Sequence, residues 1–374
     1  MNEQRVRVGV IGAGRFAEEC HVPGVQAHPR GEVVALCARN RERAAAMAAR
    51  LNVRHVYTDY QELLARSDID AVILATPDAL HLPVTLAALE AGKHVLCEKP
   101  LAMNADEAHR MVDAAQRSGL VAMVAFTFRY TRALPELRRL LREGVIGRPF
   151  QVILQVYWGG IITPGMSLTW REQAVQSAAG IWGDAGSHLF DALSYAVAPA
   201  EAVCAQLMIV QRDEGPAQPD TIDSISALAR LRLPAIAYNL LPNPAAAAPL
   251  ADRDLGAVHV TLMATRVAHP RGPVHEMQVV GTKGALGLPL FRGQHEYLSI
   301  LRPGASSWEE LPLPNDAYTD QPLALRRMVA AFIDAVRRGH LNPDQDADFA
   351  AGLHAQRALE AGIRSASSCC WESV

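Results

Sequence analysis

The chain has 374 residues, half of them hydrophobic and a fifth charged, which is too long for one core and too apolar for disorder, so two domains are expected. A net charge of −3 leaves no basic footprint and excludes nucleic acid as an expected partner. No apolar run reaches the length of a membrane span, and Met1-Asn2-Glu3-Gln4-Arg5 leads straight into a strand-like segment. Neither a signal peptide nor a membrane partner is expected, and the expected location is cytoplasmic.

The first 130 residues alternate in period. Apolar runs at 6–11, 33–37, 71–75, 94–97 and 120–125 suit strands buried on both faces by helices. Segments 41–51, 83–91 and 105–118 carry helical spacing, with Asn104 as N-cap of the last and Glu107 as its capping-box partner. This alternation predicts an α/β doubly wound parallel sheet. Gly12-Ala13-Gly14-Arg15-Phe16-Ala17 joins the first strand to the first helix. Gly12 permits the tight turn, Gly14 lets the backbone approach a pyrophosphate, and the helix N-terminus attracts its charge. Gly12, Gly14, Arg15 and Phe16 are therefore expected cofactor contacts. At the end of the second run stands Ala38-Arg39-Asn40-Arg41, with no acid to hold a ribose 2′-hydroxyl. Arg39 beside Ala38 is expected to pair with a 2′-phosphate, with Arg41 assisting and Arg43 a solvated helix charge, so NADP is preferred to NAD. Thr76, Pro77, His81 and Glu98, near later strand ends, complete the expected cofactor pocket.

Lys99 follows the run 94–97 in Glu98-Lys99-Pro100, which places it at the C-terminal end of a parallel strand, where ligands bind in open α/β sheets. A cation there stabilises a developing alkoxide, and an imidazole can take the hydroxyl proton as a C–H bond is cleaved. The imidazole candidate is His188, in Asp184-Ala185-Gly186-Ser187-His188; Asp184, on the same face of a helix, either orients it or holds a second substrate hydroxyl, while Asp191 braces the turn.

After Tyr130 the texture changes. A helix at 134–143 ends at Gly144, and strands follow at 150–158, 202–210, 222–231, 258–265, 276–280 and 285–289, with a tight turn at Gly281-Thr282-Lys283-Gly284. These predict a mostly antiparallel sheet, closed by helices at 325–338 and 349–365. The proline–alanine stretch 242–249 reads as a surface loop. The expected division is a dinucleotide-binding domain over 1–128 and a substrate and oligomerisation domain over 129–374. Arg129, Tyr130, Trp158, Trp170 and Arg171 are candidates to line a substrate pocket, through aromatic faces and guanidinium groups. Six cysteines show no C-x-x-C spacing, and no H-E-x-x-H occurs, so no metal is expected.

The ordered set Gly12-Ala13-Gly14-x-x-Ala17, Ala75-Thr76-Pro77, Glu98-Lys99-Pro100 and Asp184-x-Gly186-x-His188-x-x-Asp191 resembles the glucose–fructose oxidoreductase/inositol dehydrogenase/rhizopine catabolism family, written Gfo/Idh/MocA. Val280-Gly281-Thr282-Lys283-Gly284 is similar to that family's C-terminal sheet turn. The resemblance spans essentially the whole chain. It implies a Rossmann domain followed by an open-faced C-terminal sheet, which in this family often forms a homodimer or homotetramer. It also implies Lys99, Asp184 and His188 as catalytic trio, NAD or NADP as cofactor, and redox chemistry at one carbon of a sugar, inositol or related polyol. The Ala38-Arg39 pair departs from NAD selection. Within the same fold the alternatives are a reductase of a dihydrodiol or imine, a glycosidase that uses the cofactor transiently, and a non-catalytic cofactor-binding regulator.

Overall fold

A computed structural model describes residues 5–158, 169–210, 220–233, 257–267, 274–290, 296–314 and 324–374. The proline–alanine stretch at 242–249, expected as a surface loop, lies outside them.

Six parallel strands form the first sheet: β1 (Val6–Ile11), β2 (Gly31–Cys37), β3 (His55–Tyr57), β4 (Ala71–Leu74), β5 (His94–Cys97) and β6 (Ala122–Val124), in the order β3-β2-β1-β4-β5-β6. Between them run α1 (Val22–Ala27), α2 (Arg41–Arg50), α3 (Tyr60–Leu64), α4 (His81–Glu90) and α5 (Ala105–Ser118). The apolar runs are continuous because both faces are buried. Val8, Val10, Ala71, Ile73 and Leu96 pack on one side, and Val72, Leu74, Val95 and Cys97 on the other. The winding reverses between β1 and β4, so their C-terminal ends open the crevice in which such sheets bind ligands. Asn104 caps α5 by accepting from the Glu107 amide at 2.8 Å. Glu107 reaches past the cap and accepts from the Met103 amide instead, which corrects the reciprocal capping box expected from sequence.

After α6 (Ala133–Arg142), β7 (Pro149–Tyr157) and α7 (Ser187–Ala196) come β8 (Ala202–Met208), β9 (Ser224–Arg232), β10 (Ala257–Thr265), β11 (Val274–Gly281), β12 (Gly284–Pro289), β13 (Leu298–Leu301), β14 (Glu309–Leu311) and β15 (Glu372–Ser373). They form a nine-stranded sheet ordered β14-β13-β12-β11-β7-β10-β9-β8-β15, antiparallel except for the β7–β10 pair. Alternate residues such as Val258, Val260 and Leu262 of β10 point into the core, whereas His259 and Thr261 face out. Helix Ala324–Arg338 returns to the first sheet, placing Met328, Val329, Phe332 and Ile333 against Val8, Val10 and Val25. Helix Phe349–Ser368 lies between α5, α7 and β8. The last helices thus tie the two sheets together across the boundary expected near residue 128.

Candidate active site

At the end of β1, Gly12 has φ +115°. A Cβ there would lie 2.1 Å from the Ala75 carbonyl oxygen, so only glycine lets the turn press against the end of β4. Gly14 faces open space, with nothing within 4 Å of where its Cβ would be. Arg15 is exposed, loosely paired with Glu19 at 3.8 Å, and its guanidinium lies 5.6 Å from the centre of the half-buried Phe16 ring. A wide turn of π-helix, Ala17–His21, follows and runs into α1. The hydroxyl of Thr76, at the end of β4, is buried and has no hydrogen-bond partner among the described residues. An open glycine at a helix start and an orphaned hydroxyl at the end of the neighbouring strand fit a dinucleotide. At the end of β2, Ala38 donates to the Tyr57 carbonyl, and Arg39 is exposed with no ion pair or hydrogen bond to any described residue. Asn40 caps α2 by accepting from the Arg43 amide. His81 is fully buried between two backbone oxygens, Pro100 at 2.9 Å and Thr76 at 3.3 Å. Burial pushes its pKa down, and the ring braces the pocket wall beside Pro77. Glu98 meets the buried His21 ring at 2.8 Å and accepts from the Lys99 amide at 3.3 Å.

Lys99, 8% exposed, reaches from the end of β5 to Asp184. Its ammonium donates to the Asp184 carboxylate and, at 2.8 Å, to the Asp184 carbonyl. Asp184 rides a second π-turn, Trp182–Gly186, which passes directly into α7. Such widened turns recur at functional sites. His188 lies in the first turn of α7, buried, with its ring centre 4.7 Å from that of Phe128 and 6.0 Å from that of Phe126.

Arg171 approaches the other face of Asp184, Nε to Oδ2 3.5 Å, with its guanidinium 4.4 Å from the Trp170 ring centre. Trp158 follows directly on β7 and packs edge-on to His275 at 5.5 Å. Arg129 and Tyr130 turn away from this cluster, contrary to the expectation that they line a substrate pocket. Arg129 grips Asp191 with two nitrogens (2.6–3.1 Å) and donates to the Asp346 carbonyl. The Tyr130 hydroxyl donates to Asp346 at 2.7 Å. Their donors are occupied inside the protein, so they brace the turn after β6, and Asp191 braces from α7.

Three side chains gain their positions only in three dimensions. Asp78, just after Pro77, is 2% exposed; one carboxyl oxygen accepts from the Ala178 amide at 2.9 Å and the other has no partner among the described residues. Burial, the dominant influence, pushes its pKa up to about 7. His21 holds Glu98. Arg266 donates to Asp223 at 2.6 Å, Glu172 at 2.8 Å and Thr221 at 2.6 Å, while Glu172 accepts from Thr169 at the start of the turn that carries Arg171. A carboxylate two residues past Thr76 and a histidine seven past Gly14 were visible signals, but nothing local marks either partner. The thiols of Cys37 and Cys97 are pushed above their ordinary range by burial, which makes them inert core groups.

Comparison with known proteins gives two adjoining matches. Residues 6–126 match an oxidoreductase family described by its NAD-binding Rossmann fold, and residues 135–238 match the GFO/IDH/MocA C-terminal domain. Levoglucosan dehydrogenase of Pseudarthrobacter phenanthrenivorans is 32% identical over 293 residues, covering 76% of this chain and 73% of that protein. The 1,5-anhydro-D-fructose reductase of Ensifer adhaerens is 37% identical over 199 residues, covering 53% of this chain and 59% of the relative. A levoglucosan dehydrogenase solved in complex with NADH and levoglucosan superposes with a TM-score of 0.83 at 25% identity, covering 99% of this chain and all of that one.

Proposed function

Because the chain belongs to the Gfo/Idh/MocA oxidoreductase family, we propose that it oxidises or reduces one hydroxyl-bearing carbon of a sugar, inositol or related polyol, with NADP favoured over NAD. The observation that carries this reading is the Lys99 ammonium, held by Asp184 at the end of β5, on the same edge of the sheet as the glycine turn after β1. Gly12, Gly14, Arg15, Phe16 and Thr76 would hold the dinucleotide. When bound, its nicotinamide ring accepts or supplies the hydride.

The chain's own groups handle the proton and the charge. Lys99 donates toward the substrate oxygen and stabilises the negative charge that develops there as the C–H bond breaks. Asp184 fixes the direction of that ammonium through two acceptors on one residue. His188, seated against Phe126 and Phe128, takes the hydroxyl proton in the oxidative direction and returns it in the reductive one. The carbohydrate substrates named for two relatives support the substrate class. Arg39, exposed where an acid would select the 2′-hydroxyl, supports NADP. The open face of the second sheet supports assembly with further copies, and the absence of any membrane-length apolar helix among the described residues is compatible with a cytoplasmic site.

The test follows reduced-nicotinamide absorbance while the protein meets a panel of sugars, uronic acids and inositols, each with NADP⁺ and with NAD⁺. A rise with one compound is expected, larger with NADP⁺. Arg39→Ala should weaken NADPH binding about tenfold or more, as befits a lost charged contact, and leave NADH nearly untouched. Equal weakening of both would remove the NADP preference. Silence across the panel, or release of free sugar without net cofactor reduction, would remove the dehydrogenase reading.

A further inference from the structure

Asp184 reaches Lys99 from a backbone that must be held in an uncommon shape. Immediately before its π-turn, Ala179 and Gly180 adopt φ +61° and +58°, a region that an alanine enters only under restraint. Gly180 is pressed on the Ile222 backbone, where a Cβ would come within 2.5 Å of the carbonyl oxygen. Gly183 crosses so close to Ala178 that a Cβ would sit 1.6 Å from that carbonyl oxygen. The Ile181 amide bonds to the Ile222 carbonyl and the Asp184 amide to the Gly180 carbonyl, both at 2.9 Å. The Ala178 amide, at the entry to this turn, is taken by a side chain from the other sheet, the Asp78 carboxyl at 2.9 Å.

We propose that Asp78 is a positioning residue, whose carboxyl pins the entry of the turn bearing Asp184 to the end of β4, the strand next to the one that ends at Lys99. The groups that face it agree with this placement. Lys99 at the end of β5, Arg171 on the short turn after Thr169, and Asp184 itself act on the Asp78 carboxyl electrostatically, and the buried Cys97 thiol lies under its influence. Its second oxygen is buried without a partner among the described residues, so the group is not held for its own solvation. Gly180 and Gly183 give the turn its freedom, and the tie removes it again.

The tie is also sensitive to pH. An aspartate in the unfolded or locally opened chain titrates near 4, whereas Asp78 in place titrates near 7. The closed state therefore keeps a proton that the opened state has released between these two values. Opening becomes easier as pH rises through that window and then levels off above it.

The role rests on reading Lys99 and Asp184 as the working pair, so the experiment separates the tie from turnover. Amide exchange over residues 178–186 of the whole chain is measured for the parent, Asp78→Ala and Asp78→Asn, between pH 5 and 8 and without substrate. Beyond the intrinsic pH effect, the parent should lose about tenfold or more of its protection in that segment between pH 5 and 7. Asp78→Asn, whose amide oxygen still accepts, should stay protected with no such pH term, and Asp78→Ala should be unprotected throughout. With a substrate in hand, Asp78→Ala should lower kcat about tenfold or more while KM for cofactor holds, and Asp78→Asn should restore most of it. A parent and Asp78→Asn protein with the same pH dependence of exchange would overturn the tie. Altered exchange with unchanged kcat in Asp78→Ala would overturn the positioning role, whatever the substrate proves to be.

Discussion

At Lys99, a side chain 8% exposed is satisfied twice by one residue, through the carboxylate and the carbonyl of Asp184. A buried ammonium needs such partners, and the third donor of the head remains for a substrate oxygen. Arg171 adds a second cation to the same carboxylate at 3.5 Å. That arrangement weakens the hold of Asp184 on any single partner and leaves positive potential where an alkoxide would form. Replacing Lys99 by alanine should therefore lower kcat about 10²-fold or more, and His188→Ala should do the same by removing the proposed proton acceptor. Dissociation constants for the dinucleotide, measured by fluorescence titration, should move less than about threefold, since the glycine turn is untouched. A His188→Ala protein with near-parental kcat would take the proton role away from that ring.

At the scale of elements, the turn 169–172 is held from below by a buried network. Arg266 is 8% exposed and faces both Asp223, which is fully buried, and Glu172. Glu172 in turn fastens Thr169, and the Thr221 hydroxyl donates to the Arg171 carbonyl at 3.2 Å. Arg266→Met would leave two carboxylates without their cation, a loss on the order of 3–5 kcal/mol. The melting temperature should fall by several degrees, and KM for substrate should rise more than kcat falls, because Arg171 loses its platform while Lys99 keeps its own. Unchanged melting would show the network to be dispensable.

Such networks also mark the limit of what a sequence displays. β1, β4 and β5 were legible as apolar runs because helices cover both of their faces, and Asn104 was legible as a cap because its partner is three residues away. The edge strand His55–Tyr57 was not: all three of its residues are only half buried, so no apolar run announces it. Lys99 and His188 could be located from strand-end position and motif. By contrast, the partner of Asp78 is 100 residues off and that of Glu98 is 77 off, and the two π-turns have no local signature. Arg129 and Tyr130 misled because an arginine and a tyrosine after a strand look the same whether they face a pocket or a buried carboxylate.

For the whole molecule, the unequal faces of the second sheet decide how it meets its surroundings. One face is covered by α6, α7 and helix Phe349–Ser368. Across the other runs a hydrogen-bonded row, Cys204–Leu228–Thr261–Ile153–Gln278, set by the pairing registers of β8, β9, β10, β7 and β11. Within it, Leu228 is 50% exposed. The rows on either side carry Arg230, His259 and Gln151, and Ser226, Met263, Gln155 and Glu276. Exposed apolar side chains such as Leu228 within a polar surround are the make-up of a protein interface. A second copy of the chain is the partner the sequence resemblance leads one to expect, and a two-fold arrangement would set Leu228 against its own surroundings. Sedimentation should accordingly give a particle larger than the single-chain mass of 40.5 kDa. Leu228→Glu, which buries a like charge from each copy near the axis, should shift it toward that mass while far-ultraviolet dichroism stays as in the parent. A parent protein that sediments as one chain would remove the assembly, and a Leu228→Glu protein that stays assembled would move the interface off this face.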